Sequence, residues 1–595
     1  MNGFCGRLTA LGALEFAPEC SPPDECLGCQ VLVSGYIADR DDLRHVFSSD
    51  AAFQPSNAEL LAHAFRKWGP QLPAHVIGEY AAVVWDVRAN TALLTHDSLS
   101  LAQLFYAPRS EGLAFATHVA DLVDDAAAGQ LDDEYLADFL ARGFITGERT
   151  PYRSIRRILP GQSLWWSEGR LRPVRSWNLA DVPSRRYGND AEYEEQFRAL
   201  LGAGVRASLA GPGPTFISLS GGLDSSSIAC AAAGASDLAA YSVICPDWPD
   251  TDEQPWMQAV VEHCHMAWHK VDVDEILPFS TLPAGFHGEP SQIAMNEKQL
   301  RFQDDLLRSM DSTVMLTGNG GNTLLGANPG EIPVHLVDAL FDGKPIAAFR
   351  ALRGWRDKSN ERRSYSYWLS RALMVPALEH LRGRKVSGAD RRLSFPPWLK
   401  RDYAQKMHLE ERARSRIAPA CRNPGRQQLW DSLWTLALAM TSIQQRRMSF
   451  DIRAPLMYRP LVEFMSGIPW EQKLRPRCDR YLQRRALKGV LPELVRRRAT
   501  KGSGNPALVE GLRRSSDWFD YLCDKPLMAE RGIVEAAQWR DAVRQASVGQ
   551  TNDDRFFLGG VAVESWLKQL KARASSARRN GLTGTRWPGV VPVLG

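Results

Sequence analysis

Residues 218–227 read SLSGGLDSSS, an apolar run followed by a Ser-Gly-Gly turn and a segment of small residues. A turn of this kind between a strand and a helix aims unpaired backbone N–H groups and the positive end of a helix dipole at one point, which favours a phosphate. Gly221 and Gly222 let the backbone come close to the ligand, and the Ser220 hydroxyl adds a donor. Asp224 beside such an anion would be repelled unless a cation lay between them, so Mg²⁺ is expected. The loop lacks the Gly-Lys-Ser/Thr ending of a Walker A sequence, so transfer of a γ-phosphate is not indicated. The plain structural alternative is a glycine-rich turn that caps a helix. The flanking strand and helix favour a nucleotide instead.

The surrounding pattern supplies those elements. Residues 192–210 read as a helix, TFISLS as a buried strand, SSSIACAAAG as a helix and LAAYSVIC as a further strand. Strand-helix-strand repetition predicts a parallel sheet with helices on both faces. Upstream, QVLVSGYI, YAAVVWDV, TALLTHD and LAFATH alternate as strands. NAELLAHAFRKWG carries apolar residues at helical spacing, with Asn57 as an available cap. The first part of the chain is thus an α+β layer with a β-rich core. Residues 330–430 are helical in pattern and dense in Arg and Lys, and residues 571–595 are expected to be a disordered tail.

With 595 residues, two or more domains are expected. A net charge of +4 gives no general case for nucleic-acid binding. No apolar run is long enough to span a bilayer and the N-terminus does not read as a signal peptide, so the cytoplasm is the expected setting. Ten cysteines are too sparse for a disulfide scaffold. Cys5, Cys20, Cys26 and Cys29 allow a four-thiolate zinc site. However, Cys5 and Cys20 form no second close pair, so reduced structural thiols are the expectation.

The loop resembles that of the ATP-pyrophosphatase group. Together, LSGGLDSSSIA, YSVICPDWPDTDE, LTGNGG, DIRAPLMYRPLVEF and RYLQRRALKGVLPELVRRRATKG are similar to the asparagine synthetase family. GYIADRDDLR, SNAELLAHAFRKWG, GEYAAVVWD and LFYA resemble its glutamine-hydrolysing domain. The resemblance implies an α/β chain of two domains. Residues 1–185 would be an amidotransferase-like α+β domain of stacked antiparallel sheets with helices. Residues 190–570 would be a parallel-sheet, ATP-dependent synthetase domain that carries the helical insertion.

Carried over position by position, the resemblance puts Leu219 and Val243 beside the adenosine, with Thr317 and Gly318 closing the nucleotide site. Ser220, Gly221, Gly222, Asp224 and Ser225 would surround the pyrophosphate of ATP and its metal, and Lys501 would meet the pyrophosphate. Asn322 stands where the family has a second metal-binding Asp, and Asn319 where related enzymes have Glu or Tyr. Asp451 falls at the carboxylate of the family's Tyr–Glu base pair and is the candidate for accepting or orienting the amine proton. Its structural alternative is an ion pair with Arg453 or Arg447.

The family's thiol nucleophile stands at the mature N-terminus, where this sequence has Asn2. Its glutamine-pocket Asn-Gly is replaced by Val33-Ser34, and HDSLSLAQ lacks the pocket glycine. Glutamine hydrolysis is therefore not expected, and the amine must come with the substrate. Among such arrangements the wording of the motifs is most similar to the lasso-peptide cyclases. There, an Asp or Glu side chain of a precursor peptide is adenylated and captured by the peptide's own N-terminal amine. That resemblance implies a leader-binding protein and a leader protease as partners. The rivals are an asparagine-synthetase-like or β-lactam-synthetase-like enzyme acting on a small molecule, and a catalytically silent scaffold.

Overall fold

The computed structural model describes all residues except 1–2, 10–12, 18–21, 51, 111, 210–212, 235–236, 327–333, 359–362, 386–394, 500–504, 551–553 and 580–595. The first part holds two antiparallel sheets. One has five strands, in the order Leu14–Phe16, Cys5–Thr9, Gly112–Ala116, Phe105–Arg109 and Arg156–Arg157. The other has six, in the order Arg170–Arg175, Gln162–Ser167, Thr91–His96, Gly78–Asp86, Cys29–Ile37 and Asp24–Cys26.

The strand Gly78–Asp86 explains why the sequence reads as a nearly unbroken apolar run there. Ala81, Val83 and Trp85 point to the core between the sheets, with Leu8, Leu94 and Phe115. Tyr80, Ala82 and Val84 point to the opposite face, under Leu61 and Phe65 of the helix Asn57–Trp68. Alternate side chains must point to opposite faces, so a strand covered on both is apolar throughout. The helix is capped one residue earlier than its sequence suggests. The Ser56 hydroxyl accepts from the Glu59 N–H at 3.1 Å, and the Glu59 carboxylate accepts from the Ser56 N–H at 2.7 Å. Asn57 is the first helical residue.

The second part is built on a parallel sheet in the order Ala267–Asp272, Leu238–Ile244, Thr215–Ser218, Val314–Leu316 and Asp451–Arg453. The helices Asp190–Ser208 and Leu223–Ala232 belong to this unit. The basic stretch is helical as read, with Pro345–Lys358, a Tyr365–Leu381 rod containing one π turn, and Pro424–Gln444. The last helix runs Asp554–Arg579, past the point at which a disordered tail was expected to begin. Its Arg573 guanidinium donates to the Val123 carbonyl at 2.9 Å, which ties this part of the helix to the first domain. Residues 580–595 lie outside the described residues.

The two parts share one hydrophobic core, in which Phe105, Leu136 and Tyr152 sit with Phe197, Ile217 and Leu456. Among the described residues, no helix is long and apolar enough to cross a membrane. Cys20 lies outside the described residues. The described residues contain no group of three or more His, Cys, Asp or Glu suited to a metal ion. Cys26 and Cys29 face each other across a hairpin, and Cys5 is buried within its strand.

Candidate active site

The central strand Thr215–Ser218 ends in the Ser-Gly-Gly turn, and the helix Leu223–Ala232 leaves from it. Gly221 has φ +65°, and a Cβ there would lie 2.9 Å from that of Trp256, so glycine is required for both conformation and space. The turn is tied internally. The Ser220 N–H donates to the Ser225 hydroxyl at 3.2 Å, and the Ser242 hydroxyl donates to the Leu219 carbonyl at 2.8 Å. The neighbouring strand Val314–Leu316 delivers Thr317 and Gly318 alongside, and its continuation closes in on Asp224. A Cβ on Gly321 would lie 2.2 Å from the Asp224 carboxyl carbon.

These two strand ends open on a cavity of about 570 Å³, large enough for a nucleotide. Of the residues expected to bind ATP or metal, Ser220, Gly222, Asp224, Ser225, Thr317, Gly318 and Asn322 line it, as does Asn319. Leu219, Gly221 and Val243 do not. The Leu219 side chain is buried in the core and Val243 sits within its strand, packed on a second core. Lys501 lies outside the described residues.

Asp451 lies on the edge strand of the sheet but does not line the nucleotide cavity. It lines a second cavity at the domain junction, with Ser34, Gln103, Thr117, His118 and Gln445, and the two cavities share Ile452. The Arg453 guanidinium donates to the Asp451 carboxylate at 3.2 Å, whereas Arg447 turns away to Asp121.

The residue that sequence reasoning missed is Arg480. Its Nε and Nη2 each donate at 2.9 Å, one to each oxygen of Asp224. The same Nη2 reaches the Asn322 amide oxygen, and Nη1 donates to Asp479 at 2.7 Å. Burial works against the charge on Arg480, but the hydrogen bond and charge of Asp224 and then those of Asp479 more than offset it, so its pKa is raised. Both candidate metal ligands thus converge on one guanidinium. Arg484 braces Asp479 at 2.6 Å, while Arg498 donates to the Gly221 carbonyl at 3.1 Å and lies 4.1 Å over the Trp256 ring. The only signal in the sequence was the arginine density of DRYLQRR, which reads equally well as a solvated helix face.

A Ser-Gly-Gly turn at the C-terminal end of a central parallel strand opens on a nucleotide-sized cavity, beside a domain of two antiparallel sheets, and the chain's family matches make it an ATP-dependent amide-forming ligase. The asparagine synthase family model matches residues 196–568, and the glutamine amidotransferase domain model matches residues 22–177. The chain belongs to the asparagine synthase family. It is 23% identical over 533 residues to asparagine synthetase [glutamine-hydrolyzing] 3 of Bacillus subtilis, covering 83% of this chain and 78% of that one. Asparagine synthetase [glutamine-hydrolyzing] 2 of the same organism is 22% identical, over 40% of this chain and 34% of its own length. The amidase chyE of Penicillium rubens is 25% identical, over 35% of this chain and 31% of its own. The chain therefore spans about a third of the length of these last two.

Proposed function

We propose that the enzyme is a lasso-peptide macrocyclase, which adenylates an Asp or Glu side chain of a precursor peptide and closes an isopeptide bond with that peptide's N-terminal amine. The observation that carries this reading is at the domain junction. No cysteine lines the cavity there among its described residues, and Cys5, the first thiol in the sequence, is held inside a strand opposite Ala116. Without a thiol nucleophile no ammonia is released from glutamine, so the amine has to arrive on the substrate.

In the first step a carboxylate oxygen attacks the α-phosphorus of ATP and pyrophosphate leaves. In the second the amine attacks the acyl carbon, AMP leaves, and the amine gives up a proton. Ser220 and the N–H groups of the turn hold the pyrophosphate, and Arg480 and Lys501 offset its charge. Asp224, with the amide oxygen of Asn322, would hold Mg²⁺, which neutralises phosphate charge when bound. One carboxylate and one neutral oxygen suit a metal held largely by the nucleotide. Asp451 receives or orients the amine proton from the junction side. Tethering amine and acyl group in one molecule removes an entropic barrier on the order of several kcal/mol. A leader-binding protein and a leader protease work with the enzyme.

The test is ATP–pyrophosphate exchange with precursor peptides and with free aspartate. Exchange with peptide alone, abolished in Asp224→Ala and followed by loss of one water from the peptide, supports the proposal. Exchange with free aspartate would return the enzyme to asparagine synthesis, and exchange with neither would make it a scaffold.

A further inference from the structure

The described residues include 15 large hydrophobic side chains that are exposed, and seven of them fall between positions 346 and 381. They form stripes on two successive helices. Ile346 and Phe349 stand out from Pro345–Lys358, at 67% and 51% exposure. Met374, Leu378 and Leu381 stand out from the rod that follows, at the i, i+4, i+7 spacing of one helix face. Arg356 lies 3.8 Å over the Tyr365 ring and joins the two helices. The opposite faces are already satisfied, because Leu352, Trp355, Trp368 and Leu373 are buried together in a separate small core. An apolar surface of this kind on a soluble fold marks an interaction site.

Charge identifies the occupant. Residues 344–385 contain 11 Lys and Arg against three Asp and Glu, a surplus of eight, twice the net +4 of the whole chain. Lys344, Arg350, Arg353 and Arg382 are exposed around the stripes. The core beneath them also takes in Trp470 and Leu474, which lead directly into the segment that carries Arg480. The surface is thus mounted on the same scaffold as the nucleotide cavity. An anionic membrane would suit the charge, but helices that lie in a membrane interface turn their tryptophans outward. Here Trp355 and Trp368 are buried.

We infer that this face docks a partner protein presenting an amphipathic helix with an apolar stripe and acidic flanks. The surface follows from exposure and charge. The partner's task, delivery of the substrate chain, rests on the peptide reading above.

The test measures fluorescence anisotropy with the full chain and a labelled synthetic helix that has leucine at i, i+4 and i+7 and glutamate on its flanks. The control probe replaces glutamate with lysine. The acidic probe should bind, weaken with salt, and lose about tenfold or more in affinity in Leu378→Glu and in Phe349→Ser, with unchanged melting curves. Equal binding of both probes, or full affinity in both variants, overturns the inference. So does phosphatidylglycerol vesicle binding that Leu378→Glu abolishes while the acidic probe does not bind, or a dimer in sedimentation that the same variant dissolves. If ATP–pyrophosphate exchange fails with every peptide while the acidic probe still binds as described, the docking face stands and the macrocyclase reading falls.

Discussion

Asp224 and Asn322 are both held by Arg480. A bidentate guanidinium–carboxylate pair fixes direction as well as charge, which lysine cannot reproduce. Arg480→Ala leaves a largely buried carboxylate without its counter-charge, a change that costs about 3–5 kcal/mol where burial is complete and less here. Calorimetry on Arg480→Ala should show a lowered melting temperature together with weaker ATP binding. Arg480→Lys should recover much of the stability and less of the ATP affinity. Wild-type ATP affinity in Arg480→Ala would remove the residue from the site. The Ser-Gly-Gly turn was legible in the sequence because its glycines and serines are demanded by local geometry. Arg480 was not, since its partners lie 256 and 158 positions away and nothing local distinguishes it from the neighbouring arginines.

At the scale of elements, the strands and the helix Asn57–Trp68 were readable from periodicity alone, because each buries a face with the period of its own geometry. The cap was misplaced by one residue, since Ser56 and Asn57 are both good caps and only the reciprocal bonds with Glu59 decide between them. Ser56→Ala should cost about 1 kcal/mol, read as a shift in the denaturant midpoint with unchanged slope. An equal midpoint would mean that Asn57 can take over the cap. The polar composition from residue 571 suggests a disordered tail, whereas residues 571–579 continue the last helix, whose Arg573 bonds to the first domain.

At the scale of the whole molecule, the junction between the domains was not legible, because no sequence pattern records which buried polar groups meet across an interface. Glu79 is fully buried there. It accepts from the Tyr36 hydroxyl at 3.2 Å and from the Ala454 N–H at 3.3 Å, with Arg453 stacked 4.2 Å from the Tyr36 ring. Desolvation raises its pKa to about 7, against the lowering effect of the Ala454 bond, of Arg453 and of the Tyr36 hydroxyl. Below the ordinary carboxyl range both the folded and unfolded states hold this proton. Between there and about 7 the folded state retains a proton that the unfolded state has lost, so this group makes stability fall as pH rises through that window. Thermal melts from pH 5 to 8 should show that decline, with a shallower slope in Glu79→Gln. An unchanged slope would show that Glu79 does not titrate in this window.

Arg453 and Ala454 belong to, or directly follow, the edge strand of the parallel sheet, and Arg459 beyond them donates to the carbonyls of Pro73 and Ala74. The amidotransferase-like domain therefore packs against the end of its neighbour's edge strand, and an uncovered strand edge can template strand addition. Residues 190–595 produced alone should form aggregates, and co-expression of residues 1–189 should return them to solution. Rescue by co-expression would make the first domain an intramolecular chaperone of the second.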